Sequence, residues 1–458
     1  MPRPSTTTVR DLRKSNRSRA LWQVFLNGPL TRQEVAAVAG LSSATVSNLV
    51  GALLAEGVVA EVGLEDSNGG RPRGLLQVNP DYGYVIGADV GETAVLVELF
   101  DLTLRLRARH TSVTGMTTVL DPGDVVNRIV EGVQSVIAES GVPERAILGL
   151  GVAVPGLVEH RNEQRNEHPD AAVVHGQSVG WQAVPLEADL RARLDLPILV
   201  DNGAKTLGQA ERWLGAARDT DNAVIVLLGI GAGTCIVSNG EVYRGATSSA
   251  GEWGHTTVVA GGRTCRCGAD GCLEAYVGAG AIVARYEQLK RRRRAARPAE
   301  LEGRIAAIIE ARHRDPAAAK VLAETVTYLG AGIADLVNLF NPERVVVGGW
   351  LGQALSEALL PSIREAAAGR ALHLPFSRVE IVKAELGQDA VALGGATLPI
   401  ARLLSAGAVE HPAYRPAGHP AGHPEPARRG TGRRTAGPLV TLEQHQRASD
   451  DASYSPRG

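Results

Sequence analysis

The sequence predicts an α/β protein of two related halves, preceded by a small unit built around a helix-turn-helix. Three observations carry this expectation. Apolar strand patterns alternate with helical ones from Tyr84 to about residue 400, as in layered α/β architectures. Two apolar runs flanking a glycine-rich turn occur twice, at 84–100 and 222–237, which points to related halves. Before residue 80 the order is instead helix, helix, helix and hairpin.

Composition narrows the function. Of 458 residues, 44% are apolar and 21% charged, enough for sizeable cores. With 48 basic and 49 acidic side chains the net charge is −1, which excludes a uniformly basic nucleic-acid coat but not a local basic module. Residues 1–33 form such a module, with seven basic side chains against one acidic, Asp11. The longest near-apolar run, Ala223–Val237, is too short and too glycine-rich for a membrane helix. The N-terminal stretch has no apolar core, so no signal peptide is expected and the protein is placed in the cytoplasm, without a membrane partner.

Each element has a local cause. The first helix is expected from about Arg17 to Leu26, with Leu21, Val24 and Phe25 inward. The second starts at Thr31, with Glu34 at capping-box spacing, turns Val35, Ala36 and Val38 inward, and ends at Gly40. The third runs from Ser42 to Ala55, with Val46, Leu49, Val50, Leu53 and Leu54 inward. Strands at Val58–Val62 and Leu75–Val78 flank a polar loop, and Asn79-Pro80 marks a boundary. Further on, a helix is expected over Val125–Ala138 and another over Leu207–Leu214 after the strand ILVDN. A long helix over Ala317–Phe340 stops at Asn341-Pro342, and the strand RVVVGG follows. The division is then 1–80 for the N-terminal unit, 84–205 and 206–404 for two lobes, and 405–458 for a Pro-, Gly- and Arg-rich tail that cannot bury a core and is expected to be disordered. The five basic residues Lys290–Arg294 read as a solvated face rather than a nucleic-acid contact.

The N-terminal unit has the pattern of a winged helix-turn-helix. Its third helix would enter the major groove with Ser43, Ala44, Thr45, Ser47 and Asn48 toward base edges. Asn48 can pair bidentately with adenine, and Ala44 or Thr45 can touch a thymine methyl. Arg71 and Arg73 sit on the wing, where arginines can enter a narrow minor groove. The competing reading is a helical protein-interaction unit.

Chemistry concentrates at His255, Cys265, Cys267 and Cys272, spaced H-x9-C-x-C-x4-C. Three thiolates and an imidazole fill a tetrahedral zinc shell and leave no open position, so the ion would be structural. Cys235 lies in a strand pattern and reads as core.

With these residues in view, the chain resembles the ROK family (repressors, open reading frames, kinases), and most closely its members with an N-terminal winged helix. The resemblance spans about residues 15 to 400 and rests on GADVGETAVLVELFDL, GLGVAVPGLV, VDNGAKTLGQAERWLG, GEWGHT, CRCGADGCLEAYVG and LVNLFNPERVVVGG. It implies an actin-like ATPase fold, ribonuclease H-like, with two α/β lobes around a sugar cleft. It implies sugar ligands at Asn202, Glu252, His255 and Glu274, with Gly156 where the chain passes close to the sugar. His255 would hold zinc through one ring nitrogen and a sugar hydroxyl through the other.

Two departures bear on activity. Kinases of the family carry a general-base aspartate immediately after the sugar-binding asparagine; here that position is Gly203, and Asp201 should face the other way on its strand. Their phosphate turn reads D-x-G-G-T-K; here it is Asp89-Val90-Gly91-Glu92-Thr93-Ala94, with a carboxylate in place of a glycine and no lysine. The second turn, Gly229–Gly233, is kept, as is Gly348-Gly349, where adenosine would lie, with Trp350 directly after it and able to fill part of that space. Ser178 replaces an asparagine found in many relatives. The expected protein is a homodimeric or tetrameric, sugar-responsive transcriptional regulator, read as a repressor that binds operator DNA and has no catalytic residues. A sugar kinase with a DNA-binding head is the alternative. A constitutive DNA-binding protein with a vestigial cleft is the third reading.

Overall fold

The structure is a computed structural model, and it describes residues 8–65, 72–113, 119–159, 172–291 and 300–408. The N-terminal unit comprises α1 (Val9–Asn27), β1 (Leu30–Thr31), α2 (Arg32–Ala39), α3 (Ser43–Ala55), β2 (Val59–Glu65) and β3 (Arg73–Val78), with its strands in the order β1-β3-β2. The expected capping box forms: Glu34 N donates to Thr31 Oγ1 at 3.2 Å, and Thr31 N donates to Glu34 Oε2 at 2.7 Å. Gly40 caps α2 at φ 61°, and α2 and α3 meet at 116°, the bend of a helix-turn-helix. Val38 departs from expectation: it is 53% exposed, because the short α2 turns only Val35, Ala36 and Ala39 inward. α1 starts eight residues earlier than its apolar stripe, at a Thr8–Asp11 capping box.

The first lobe contains β4 (Tyr84–Val90), β5 (Ala94–Asp101), β6 (Leu106–Val113), α4 (Pro122–Ser140), β7 (Ile147–Val154), β8 (Leu157–Glu159), β9 (Val173–Gly176), β10 (Trp181–Val184), α5 (Leu186–Arg191), β11 (Ile198–Asn202) and α6 (Gly203–Leu214). The second contains β12 (Ala223–Leu228), β13 (Ala232–Ser238), β14 (Glu241–Val242), α7 (Glu274–Val277), α8 (Ala279–Leu289), α9 (Leu301–Glu310), α10 (Pro316–Phe340), β15 (Arg344–Gly348), α11 (Gly349–Ala368), α12 (His373–Phe376), β16 (Glu380–Lys383) and α13 (Ala390–Ala406). The main sheets run β6-β5-β4-β7-β11 and β14-β13-β12-β15-β16. Both follow the same plan. An antiparallel meander supplies three strands, and two parallel strands extend its first member. The duplicated strand-turn-strand device in the sequence is thus the start of a duplicated sheet.

Two helices fill the space between the sheets. α13 lies on β4 and β7, α6 lies on β12 and β13, and the two pack on each other. Glycines set this spacing. A Cβ on Gly151 would stand 1.9 Å from the Gly395 carbonyl oxygen, and one on Gly87 would stand 1.9 Å from that of Ala392. Gly151→Ala must therefore push α13 off the sheet. It is expected to lose about 2–3 kcal/mol in urea unfolding, the usual size of an overpacking penalty. Gly280→Ala, which meets nothing within 4 Å, serves as the control and should cost nothing. Among the described residues no single helix is long and apolar enough to cross a membrane. The tail from residue 409, Arg71, and Arg292 to Arg294 of the basic run lie outside the described residues.

Candidate functional site

The candidate residues lie at and beyond the carboxyl ends of strands from both lobes, which Arg266 and Glu92 bridge. β11 ends at Asn202, whose Oδ1 accepts from the backbone N–H of Ala204 (2.9 Å) and Lys205 (3.2 Å) and so caps α6. Its Nδ2 donates to the Gly156 carbonyl at 2.7 Å, which joins the ends of two neighbouring strands. This cap starts α6 at residue 203, four residues before the expected apolar stretch. One Nδ2 hydrogen remains for a ligand. Gly156 has φ 95°, and a Cβ there would stand 2.4 Å from the His175 carbonyl oxygen. Its close approach is therefore to the β9 backbone.

Glu252 and His255 come from the turn after β14. That turn lies flat on β13: a Cβ on Gly254 would stand 2.0 Å from the Ala232 carbonyl oxygen, and Trp253 Nε1 donates to the Gly332 carbonyl at 3.0 Å. Burial pushes the Glu252 carboxyl up; Lys205 and His255 pull it down, and Glu274 pushes it further up. These groups therefore lie within electrostatic reach of one another. Lys205 is 2% exposed, and burial lowers its ammonium, with Asp201 and Glu252 opposing that shift. Asp201 is engaged with the other lobe, its Oδ2 accepting from Arg244 Nη2 at 2.7 Å.

Glu274 is 6% exposed and already engaged. Its Oε2 accepts from Ala232 N at 3.0 Å, and its Oε1 stands 3.4 Å from Arg266 Nη2 and 3.7 Å from Cys265 Sγ. It braces the second glycine turn against the cysteine loop. Arg266 also reaches across the cleft: its Nη1 bonds both carboxylate oxygens of Glu92, at 3.0 and 2.7 Å. Sequence reasoning missed Arg244, Lys205 and Arg266. Only Arg266 carried a signal, its place between two cysteines. Trp350 does lie on the second glycine turn, its Nε1 3.1 Å from where a Cβ on Gly229 would stand.

The four metal-ligand candidates come together. One ligand atom each from His255, Cys265, Cys267 and Cys272 lie within 4.8 Å of one another. Zinc–sulfur bonds of about 2.3 Å at a tetrahedral centre put two sulfurs about 3.8 Å apart. Cys267 and Cys272 Sγ stand at 3.8 Å, and Cys265 Sγ stands 3.9 Å from His255 Nδ1. The donor set and spacing fit a metal ion. With Nδ1 turned to the thiols, Nε2 of His255 is the ring nitrogen left for a ligand.

In the N-terminal unit, Ser43, Ala44, Ser47 and Asn48 are exposed, while Val46, Leu49 and Val50 are buried beneath them. Thr45 is half-buried, its Oγ1 2.8 Å from that of Ser42. Arg73 is exposed at the start of β3.

Two mixed sheets of identical plan, with helices between them and a cleft at their strand ends, define an actin-like sugar-kinase-type fold. The chain belongs to the ROK family, whose model matches residues 85–402. Among its relatives is the xylose repressor of Caldicellulosiruptor bescii, 29% identical over 399 residues, covering 86% of this chain and 97% of that protein. Another is the DNA-binding transcriptional dual regulator NagC of Escherichia coli K12, 28% identical over 408 residues, 88% of this chain and 96% of that one. A ROK-family transcriptional regulator homologous to the E. coli MLC protein superposes with a TM-score of 0.69 at 24% identity, over 86% of this chain and 97% of its own. The ROK glucokinase of Streptomyces griseus, solved with glucose and AMPPNP, superposes at 0.56 with 26% identity, over 69% of this chain and 99% of its own.

Proposed function

We propose that the chain is a sugar-responsive DNA-binding repressor whose ROK body binds a sugar and no longer phosphorylates it. The observation that carries this is the exposed face of α3. Four small polar or methyl-bearing side chains point outward from the second helix of a helix-turn-helix, on a unit followed by a hairpin. Residues 1–80 are then a winged helix-turn-helix, with Ser43, Ala44, Thr45, Ser47 and Asn48 toward base edges and Arg73 with Arg71 on the wing. In support, the xylose repressor aligns with 86% of this chain, whereas the glucokinase superposes on 69% of it.

The body keeps the means to hold a sugar. Asn202, Glu252 and His255 offer an amide hydrogen, a carboxylate and a ring nitrogen to hydroxyl groups that both donate and accept. Gly156 orders the Asn202 amide, and Glu274, the remaining sugar-ligand candidate, stands within electrostatic reach of Glu252. His255, Cys265, Cys267 and Cys272 would hold a zinc ion. It would supply no activated water, because all four positions belong to the protein. The body lacks the means to transfer phosphate. Gly203 offers no base, Asp201 is committed to Arg244, Glu92 and Arg266 join the lobes where phosphates would sit, and Trp350 lies on the remaining glycine turn. Two copies would present two heads to a pseudo-palindrome, and the sugar releases DNA by favouring the arrangement in which the heads do not fit.

The test is fluorescence anisotropy on duplexes from upstream of the chain's own gene, with excess competitor DNA, titrated with D-xylose, D-glucose and N-acetyl-D-glucosamine. Specific binding that one sugar reverses is expected. Glu252→Ala should keep the duplex affinity and weaken the sugar response by about tenfold or more, the cost of a charged hydrogen-bond partner. Normal induction in that variant would remove Glu252 from the site.

A further inference from the structure

α6 touches both the cleft and the N-terminal unit. Its first turn is set by Asn202, through the Oδ1 cap and the 2.7 Å bond to Gly156. Its 12 residues span about 18 Å at roughly 1.5 Å per residue. At the far end, the Trp213 ring meets two side chains of α1 edge-on: Trp22 at 5.0 Å between centroids and Phe25 at 5.5 Å. Just past α6, Arg218 Nη2 donates to the Leu26 carbonyl at 2.9 Å.

The helix between these ends is tightly held along its length. A Cβ on Gly394 of α13 would stand 2.0 Å from the Thr206 carbonyl oxygen, and one on Gly208 would stand 2.2 Å from the Cys235 side chain. Gln209 Nε2 donates to Thr397 Oγ1 at 2.7 Å. A close-packed rod does not absorb a displacement by deforming; it passes it on or switches to another packing. α1 in turn carries the head, because Arg19 bonds the Ala39 carbonyl at the end of α2 and Arg17 pairs with Glu56 beyond α3.

We infer that α6 is the element that couples the cleft to the DNA-binding head, with Trp213, Trp22 and Phe25 as the joint. An occupant of the cleft that draws on the Asn202 amide resets the first turn of α6, and the aromatic joint turns that shift into a reorientation of α1. This inference deepens the repressor reading and rests on it for its biological meaning. The three rings are positioning residues; none of them touches the sugar or the DNA.

The test is a double-mutant cycle on the full chain, read by amide hydrogen exchange in α1. Asn202→Ala is expected to speed exchange in residues 17–27 by about threefold or more in the Trp213 background and to leave it unchanged in Trp213→Leu. Trp213→Phe keeps a ring and should restore the coupling. Asn202→Asp keeps the helix cap but loses the donor to the Gly156 carbonyl, so it should speed exchange less than the Ala variant and likewise lose its effect in Trp213→Leu, which keeps the cycle readable if the Ala variant folds poorly. Exchange in α1 that ignores the change at Asn202, or responds equally without Trp213, overturns the inference. Duplex binding by the same proteins is read separately. Wild type that binds none of its upstream duplexes specifically sinks the repressor reading, while the exchange cycle still decides the joint. If wild type is released by one sugar, Trp213→Leu should bind both ligands within about threefold of normal yet lose the tenfold or larger effect of sugar on the duplex.

Discussion

Cys267→Ser is expected to purify with almost no zinc, where wild type carries about one equivalent per chain, because a serine hydroxyl does not replace a thiolate in a four-ligand shell. The consequences should be local and severe. Beyond its turns, the loop from Thr257 to Cys272 is held by two isolated β-bridges, Thr257 with Cys272 and Thr264 with Asp270, and by two arginines, Arg263 on Tyr276 and Glu324 and Arg266 on Glu92 and Glu274. Most of the hydrophobic core is organised elsewhere: one cluster joins the head to the inner faces of the lobes and two more lie on the outer faces of the sheets, with only Val258 and Val259 of this loop packed against the second of these. Loss of the ion therefore leaves these cores standing and loosens the loop at its cysteines. His255 loses its orienting partner, and Arg266 and Glu274 lose the platform from which they reach Glu92 and the second glycine turn. Sugar affinity should fall by about tenfold or more, within the range for removing an orienting shell, while the melting temperature drops only a few degrees. Metal analysis by plasma mass spectrometry and a sugar titration read the two effects on one sample. Full zinc occupancy in the variant would break the ligand assignment. A normal sugar response in metal-free protein would separate the cluster from the cleft.

Elements whose cause is local were legible in the sequence. The Thr31–Glu34 box, Gly40, Ser42 and Asn341-Pro342 act within a few residues, and the ends of α2, α3 and α10 fall within a residue or so of where they point. The duplicated strand-turn-strand device carried the related halves, and the cysteine spacing carried the metal cluster. What the sequence hid was long-range. β1 is two residues, Leu30 paired with Leu76 and Thr31 with Leu75 of β3, too short for any periodicity to register. Arg244 meets Asp201 from 43 residues away, and Arg266 meets Glu92 from 174 residues away. Side chains that pair across lobes have no local pattern. Glu274 was legible as a site residue, but not that its oxygens are taken by a backbone amide and an arginine. Gly156 was legible as a close approach, but not that the approaching group is the protein's own β9.

Titration of the sheet face beneath α13 should give a second large effect. Glu98 on β5 stands opposite Gly87 of β4, and Asp89 lies two residues along on the same face. Arg109 of β6 faces Glu98 across the sheet, and Asp389 at the start of α13 closes the group. Two of these three carboxylates, Glu98 and Asp389, thus share one guanidinium. Glu98 Oε1 accepts from Arg109 Nε at 2.8 Å, and Arg109 also pairs with Asp389, while Glu98 Oε2 has no partner among the described residues. Burial, then Asp389, pushes Glu98 up to about 8, with Arg109 opposing, and burial pushes Asp89 up to about 7. A carboxyl with a raised folded pKa binds more protons in the native state than in the unfolded one. Its contribution to stability is full below the unfolded value near 4, falls as pH rises, and levels off above about 8. Urea unfolding should therefore show stability declining by a few kcal/mol between about pH 5 and pH 8, since a tenfold difference in proton affinity between the folded and unfolded chain is worth about 1.4 kcal/mol. Glu98→Gln keeps the acceptor for Arg109 and removes the charge. It should flatten the slope and make the variant more stable than wild type at about pH 8.5, while differing little near pH 5. A slope unchanged by Glu98→Gln would place the proton elsewhere in the group. Asp89→Asn then tests the other carboxyl of this group whose pKa stands well above its ordinary range.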